Sequence, residues 1–328
     1  MVGGVGVERR VREADRPVHG VIGPGGMVAR GHAAAGVDLG EAGLQVDELG
    51  AHRCGGRPVV GGGPGQLGRE AQGGRTVLEA PVSVLSPWLD QQVESIDAVV
   101  AALDAQEGRR VIKTHTPLDG LPREPGVTYV CVGRDPHDMA GSMVDHQANI
   151  DMERVLALRE RAVGNDDLAD FGPTPGPPPD PEVRLREWVR ENPPYSLSSL
   201  QRCLHHWHTF WVVADDPAIG MFHYVDLVED WVAEVGRIAV LLGLPPDPAR
   251  DAAVADAVAF SRMQARASDY APNAVVGMWH DDTAFFRAAR RDGAFTPDLE
   301  ADYEAIVAAQ VPPALAAWVH GGRGAVAT

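Results

Sequence analysis

The run Val127-Thr-Tyr-Val-Cys-Val-Gly133 is almost wholly β-branched, aromatic or apolar, without polar alternation. A strand with this pattern is covered on both faces, as a central strand of a parallel sheet is. Arg134 ends the run. Asp135 is a good N-cap and Pro136 suits a first helical position, so the pattern predicts a helix from there through Met139, Met143 and His146. Upstream, Arg109-Arg-Val-Ile-Lys113 is a short apolar-centred run closed by a Thr/Pro/Gly loop over 114–122, and it reads as a strand whose carboxyl edge holds Lys113 to His115. Ile219 to Tyr224 reads as another short strand. Helical spacing marks Ser95 to Leu103, Gln201 to Val213 and Trp231 to Leu242, with Trp188, Trp207 and Trp211 on helical patterns that place them in the core. Strands alternating with helices in this way make an α/β unit.

The first 76 residues follow no such pattern. They hold 21 of the 37 glycines and no aromatic residue, so they bury little: a disordered extension, or an aberrant reading frame ahead of the true domain. The expected organisation is a Gly-rich segment over 1–76, one folded domain over 77–321 and a short tail over 322–328. Within the first segment, Arg57-Pro-Val-Val-Gly-Gly-Gly-Pro-Gly-Gln66 sketches strand, turn and helix, and bare backbone N–H groups there can bind an anion. Phe171-Gly-Pro-Thr-Pro-Gly-Pro-Pro-Pro-Asp-Pro181 reads as a stiff, extended insertion, either a surface connector or a substrate-gating loop.

A net charge of −17 argues against general binding to nucleic acid or to an anionic membrane. No stretch is long and apolar enough to span a bilayer, and the start lacks a signal-peptide core. Cys54, Cys131 and Cys203 form neither a disulfide framework nor a metal pattern, which suits a reducing cytoplasm. His205, His206 and His208 share a helical run without the acidic or cysteine partner a zinc set needs, and are expected to be solvated or at the core edge, with no metal.

The chemistry gathers at two strand ends. Ligands of open α/β sheets bind at the carboxyl edge, where Lys113 and His115 stand. The next helix start offers free N–H groups and a positive dipole end, to which Arg134 adds a fork of donors and Ser142 a hydroxyl. Phosphate is the natural guest there, beside a histidine able to act as a base.

Several ordered motifs then carry a resemblance. Lys113-Thr-His-Thr-Pro117 matches a Lys-Thr-His-x-Pro pattern, and Arg134, Asp138 and Ser142 match Arg-x-Pro/Ala-x-Asp-x-x-x-Ser in register. Phe222-His-Tyr-Val-Asp-Leu227, Leu242-Gly-Leu-Pro-Pro246, Phe260-Ser-Arg-Met263, Phe285-Phe-Arg287, Phe295-Thr296 and Asp302-Tyr303 follow in order. The chain resembles, over about residues 78–320, a bacterial member of the cytosolic-type sulfotransferases that use 3'-phosphoadenosine 5'-phosphosulfate (PAPS). The resemblance implies a P-loop NTPase-like three-layer fold, a central parallel sheet flanked by helices. It further implies PAPS as co-substrate, no metal, and an alcohol, phenol or glycolipid hydroxyl as acceptor. His115 would be the general base, and Lys113 would stabilise charge on the departing phosphate. Arg134 and Ser142 would grip the 3'-phosphate with Arg287 from the late loop, and Tyr224 would lie near the adenine.

One departure from the family stands out. Its Lys-Ser-Gly-Thr-Thr-Trp-like loop, which cradles the 5'-phosphosulfate, is missing or replaced by the glycine run at 61–65, and no Gly-Lys-Ser/Thr of a P-loop kinase occurs. Two readings stay open: an active sulfotransferase, or a catalytically impaired relative that only binds 3'-phosphoadenosine nucleotides.

Overall fold

The computed structural model describes residues 80–88, 90–106, 109–171, 178–193, 198–286 and 295–326. In chain order the main elements are α1 (Ile96–Ala105), β1 (Tyr129–Gly133), α2 (Pro136–Asn149), α3 (Met152–Ala162), α4 (Pro181–Arg190), α5 (Leu200–Trp211), β2 (Ile219–His223), α6 (Tyr224–Glu229), α7 (Trp231–Leu241), α8 (Pro248–Ala257), α9 (Phe260–Ala265), α10 (Pro297–Gln310) and α11 (Pro313–Val326). Most helix starts follow from local chemistry. Ser95, Asp135, Asp151, Asp180, Ser199, Asp230, Asp247 and Thr296 each accept a backbone N–H of the first turn, and α2, α4, α8 and α10 open on proline.

β1 and β2 pair in parallel, from Tyr129 opposite Ile219 to Gly133 opposite His223. Alternation along the strands sends side chains to two different cores. Tyr129, Cys131, Ile219 and Met221 pack with Met139, Met143, Trp188, Leu204, Trp207, Tyr303 and Trp318 from α2, α4, α5, α10 and α11. Val130, Val132 and Phe222 pack with Leu227, Val235, Ile238 and Val254 from α6, α7 and α8. Helices therefore cover both faces of a parallel sheet, and the three layers expected from the sequence are present. A third cluster gathers Val82, Ile150, Met263, Tyr270, Met278, Trp279 and Phe286.

Three local expectations need correction. Residues 109–112 do not form a strand: Lys113 alone makes an isolated parallel bridge, to Trp88. A ladder needs a neighbour, and the first strand sketched near Val59 lies outside the described residues. The arginines are engaged elsewhere, Arg109 donating to the Leu242 carbonyl at 2.8 Å and Arg110 pairing with Asp104. Tyr224 is not a strand residue. The His223 ring accepts the Val225 N–H at 3.2 Å, which caps α6 and turns the chain one position earlier. Val127 is exposed and the strand begins at Tyr129, so burial on both faces holds only toward its centre.

Two glycines set how closely the layers approach. At Gly133 a Cβ would lie 2.3 Å from the Trp318 ring, so only hydrogen lets α11 press on the end of β1. Gly322 interrupts α11 with φ 66° and ψ −157° and sits against the buried Asp226. Beyond it, the Arg323 N–H donates to Asp226 and its guanidinium to the fully buried Glu234, which also holds Arg237. Of the Pro-rich insertion, residues 172–177 lie outside the described residues; Asp180 and Pro181 cap and start α4.

Candidate active site

The register of the sheet brings two site residues together. Because Gly133 lies opposite His223, the next residue of each chain, Arg134 and Tyr224, leaves the sheet side by side. The Arg134 guanidinium lies over the Tyr224 ring, 4.9 Å from its centroid. Arg134 is only 6% exposed, and its Nε is buried with no hydrogen-bond partner among the described residues. Burial lowers its pKa, opposed by Tyr224, Asp138 and Asp135, though a guanidinium keeps its charge. A buried cation with an unsatisfied donor has a desolvation cost that an incoming anion relieves. It stands just before the capped first turn of α2, whose N–H groups and dipole favour negative charge.

The second group forms around Trp88 and Asp90. Lys113 is 8% exposed, its Nζ 4.0 Å from the centre of the Trp88 ring, and burial pushes its pKa well below the usual lysine range. A desolvated cation over an indole gains about 2 kcal/mol from the ring quadrupole. The His115 ring packs on the same indole, centroids 4.6 Å apart. Asp90 fixes the backbone between them. Its Oδ2 accepts from the Thr114 hydroxyl at 2.8 Å, the His115 N–H at 3.0 Å and the Thr116 hydroxyl at 2.9 Å, while the Thr116 N–H donates to Thr114 Oγ1. Charge-assisted bonds of this kind contribute about 1.5–3 kcal/mol each and hold the loop in one shape.

Helix α5 joins the two groups. His206 hydrogen-bonds the backbone of His115, and the neighbouring Trp207 donates from its indole to the Val132 carbonyl at 3.2 Å, two residues before Arg134. One turn on, Thr209 accepts the Leu118 N–H at 3.0 Å and donates to the His206 carbonyl. Lys113 and His115 thus share Trp88, Arg134 and Tyr224 share a stacking contact, and adjacent residues of α5 tie the two groups together. Ser142 is half-buried on α2. Arg287 lies outside the described residues, as does the glycine run at 61–65.

Sequence reasoning missed Asp90 and His206. The triplet of histidines, read as solvated or core-edge, divides by face: His205 is exposed and pairs with Asp119 at 3.2 Å, whereas His206 points at the His115 backbone. The helical spacing that put Trp207 in the core also fixes the orientation of its neighbour, a signal that was available. Phe286 and Met263 are buried, and Phe260 and Phe285 pack partly buried against them. Among the described residues no group of three or more His, Cys, Asp or Glu is placed to hold a metal ion, and no helix is long and apolar enough to cross a membrane.

Comparisons with known proteins bear on the fold and on the family. A solved retinol dehydratase, in complex with androsterone and inactive cofactor PAP, superposes with TM-score 0.54 over 85% of this chain and 78% of its own at 16% identity, a likeness of fold. A glycolipid sulfotransferase of Mycobacterium bovis (strain BCG / Pasteur 1173P2) is 39% identical over 272 residues, covering 75% of this chain and 80% of the relative. One of Mycobacterium tuberculosis (strain ATCC 25177 / H37Ra) is 39% identical over 265 residues with the same coverage. The sulfotransferase domain family model matches residues 68–304, a span that contains both groups of site residues and the helix α5 between them, and the chain belongs to that family.

Proposed function

We propose that this protein transfers a sulfuryl group from PAPS to a hydroxyl acceptor, and that the acceptor is a glycolipid. The observation that carries the nucleotide part is the buried Arg134, its Nε unsatisfied and its plane against Tyr224. A cation beside an aromatic ring at a helix start matches a phosphate attached to an adenosine. Membership of the sulfotransferase family and the glycolipid sulfotransferases among its relatives support the rest.

PAPS supplies the sulfuryl group and an anionic leaving phosphate. Arg134 and Ser142 hold the 3'-phosphate, with Arg287 from the late segment, and Tyr224 lies beside the adenine. Lys113 is the single lysine of the sequence, so no second lysine shares its task. Held over Trp88, it offsets the negative charge that builds on the leaving oxygen. His115 accepts the proton of the acceptor hydroxyl, and Asp90 and His206 keep its backbone still while it does so. The protein's work is positioning and charge stabilisation.

The test is binding and turnover with labelled PAPS. The intact protein should sulfate a glycolipid hydroxyl, and Arg134→Ala should weaken adenosine 3',5'-bisphosphate by about tenfold or more while changing 5'-AMP by about twofold or less. Equal losses for both nucleotides would remove the 3'-phosphate contact. Binding of PAPS without transfer to any hydroxyl would leave a nucleotide-binding protein only.

A further inference from the structure

His137 occupies a position whose hydrogen bonds define its charge. It follows the Asp135 cap of α2, and its Nδ1 lies 3.0 Å from Asp135 Oδ1 while its Nε2 lies 3.2 Å from both carboxylate oxygens of Glu300 on α10. Ionised carboxylates only accept, and a neutral imidazole carries one N–H, so a ring with a carboxylate at each nitrogen satisfies both contacts only as the imidazolium. Its other ring neighbours among the described residues are aromatic, with one further histidine that also acts on Asp135. Phe295 and Tyr303 pack on the ring at 4.7 and 4.3 Å, and His320 of α11, 5.9 Å away, is engaged with the Tyr303 hydroxyl at 2.7 Å and the Ala316 carbonyl at 2.6 Å. The Tyr303 phenol is held protonated by burial and by Asp135 and Glu300. Burial works against the imidazolium, but Asp135 and Glu300 outweigh it and the His137 pKa is raised above 6.5; the Asp135 carboxyl, for its part, is lowered despite burial by its bonds to His137.

Asp135 also acts on Arg134, together with Asp138. A carboxylate engaged by an imidazolium competes less for the neighbouring guanidinium. We infer that His137 is a proton-dependent positioning residue: protonated, it ties Asp135 to Glu300, joins the start of α2 to α10, and leaves Arg134 open to a phosphate. The anionic group that senses this is the 3'-phosphate, so the inference rests on the nucleotide reading above. The sign follows from the raised value. The bridge is complete below the ordinary histidine pKa and is lost as the pH rises through the raised one.

The experiment measures calorimetric affinity of the full chain for adenosine 3',5'-bisphosphate and for 5'-AMP between about pH 5.5 and 8.5, in the wild type, His137→Gln and Glu300→Gln, beside the NMR titration of the His137 ring. The phosphate's own ionisation is common to all three proteins and cancels in the ratio of wild type to variant. That ratio for the bisphosphate should fall by about threefold as pH rises through the His137 midpoint, stay flat for 5'-AMP, and shift to lower pH in Glu300→Gln together with the ring titration. A bisphosphate ratio independent of pH overturns the role of His137 while leaving the 3'-phosphate contact standing. A fall with pH of the same size for both nucleotides overturns the 3'-phosphate as the group that responds, and a ring midpoint unmoved by Glu300→Gln overturns the bridge itself.

Discussion

His115 and Lys113 are two residues apart in sequence, but what makes them a pair is the indole between them. Trp88 takes Lys113 Nζ on its face and the His115 ring against it, so one side chain sets the spacing of the two. On the proposed assignment, replacing His115 by Ala removes the base and leaves the anion site untouched. Turnover should fall by about 10²–10⁴-fold while affinity for the bisphosphate changes by about twofold or less. Steady-state rates beside calorimetry check this, and unchanged turnover would move the base elsewhere. At this scale the sequence was legible in part: Arg134 and Tyr224 follow the ends of β1 and β2 as foreseen, give or take the residue at which α6 begins, whereas Lys113 and His115 follow a single bridge and not the strand expected for them. Asp90 was not legible. Its partners lie up to 26 positions away, and nothing local tells a loop aspartate that it will accept three hydrogen bonds.

Among the elements, α5 carries more than its core face suggests. Its buried stripe of Leu200, Cys203, Leu204, Trp207 and Phe210 was readable from helical spacing, but the adjoining edge, with His206 and Thr209, grips the loop after Lys113. Burial, then the nearby His205, pushes the His206 pKa down to about 4, while the bond to His115 and the charges of Asp90 and Asp119 act the other way. Because the folded value lies below the unfolded one, the unfolded chain takes up the proton first. The contribution of His206 is therefore full above about pH 6.5 and is lost as the pH falls toward 4, by at most about 3 kcal/mol. Urea unfolding across that window should show the loss in the wild type and a flatter dependence in His206→Gln; the same slope in both would mean that His206 is not the titrating group. The failed expectation at 109–112 belongs to this scale too. An apolar-centred run is compatible with a strand, but a strand exists only where another offers its backbone, and among the described residues Lys113 bridges Trp88 alone.

For the whole molecule, the decisive contact is the one between α11 and the end of β1. Gly133 leaves room for Trp318, whose ring also meets His223 edge-on at 5.1 Å, so both strand ends that present Arg134 and Tyr224 are braced by one helix. Gly133→Ala forces a methyl into that space and should cost about 1–3 kcal/mol in denaturant unfolding, with a weaker bisphosphate site; a variant as stable as the wild type would show that α11 yields freely. Periodicity along the chain determined the alternation of strands with helices, and ordered motifs determined the family, because both are properties of neighbouring residues. The three-dimensional arrangement alone decided that Gly133 lies opposite His223, that Asp90 closes on the loop of His115, and that His137 meets Glu300. Each of these joins positions distant in the chain through parallel register or helix packing, which depend on the burial of whole faces and not on any local sequence.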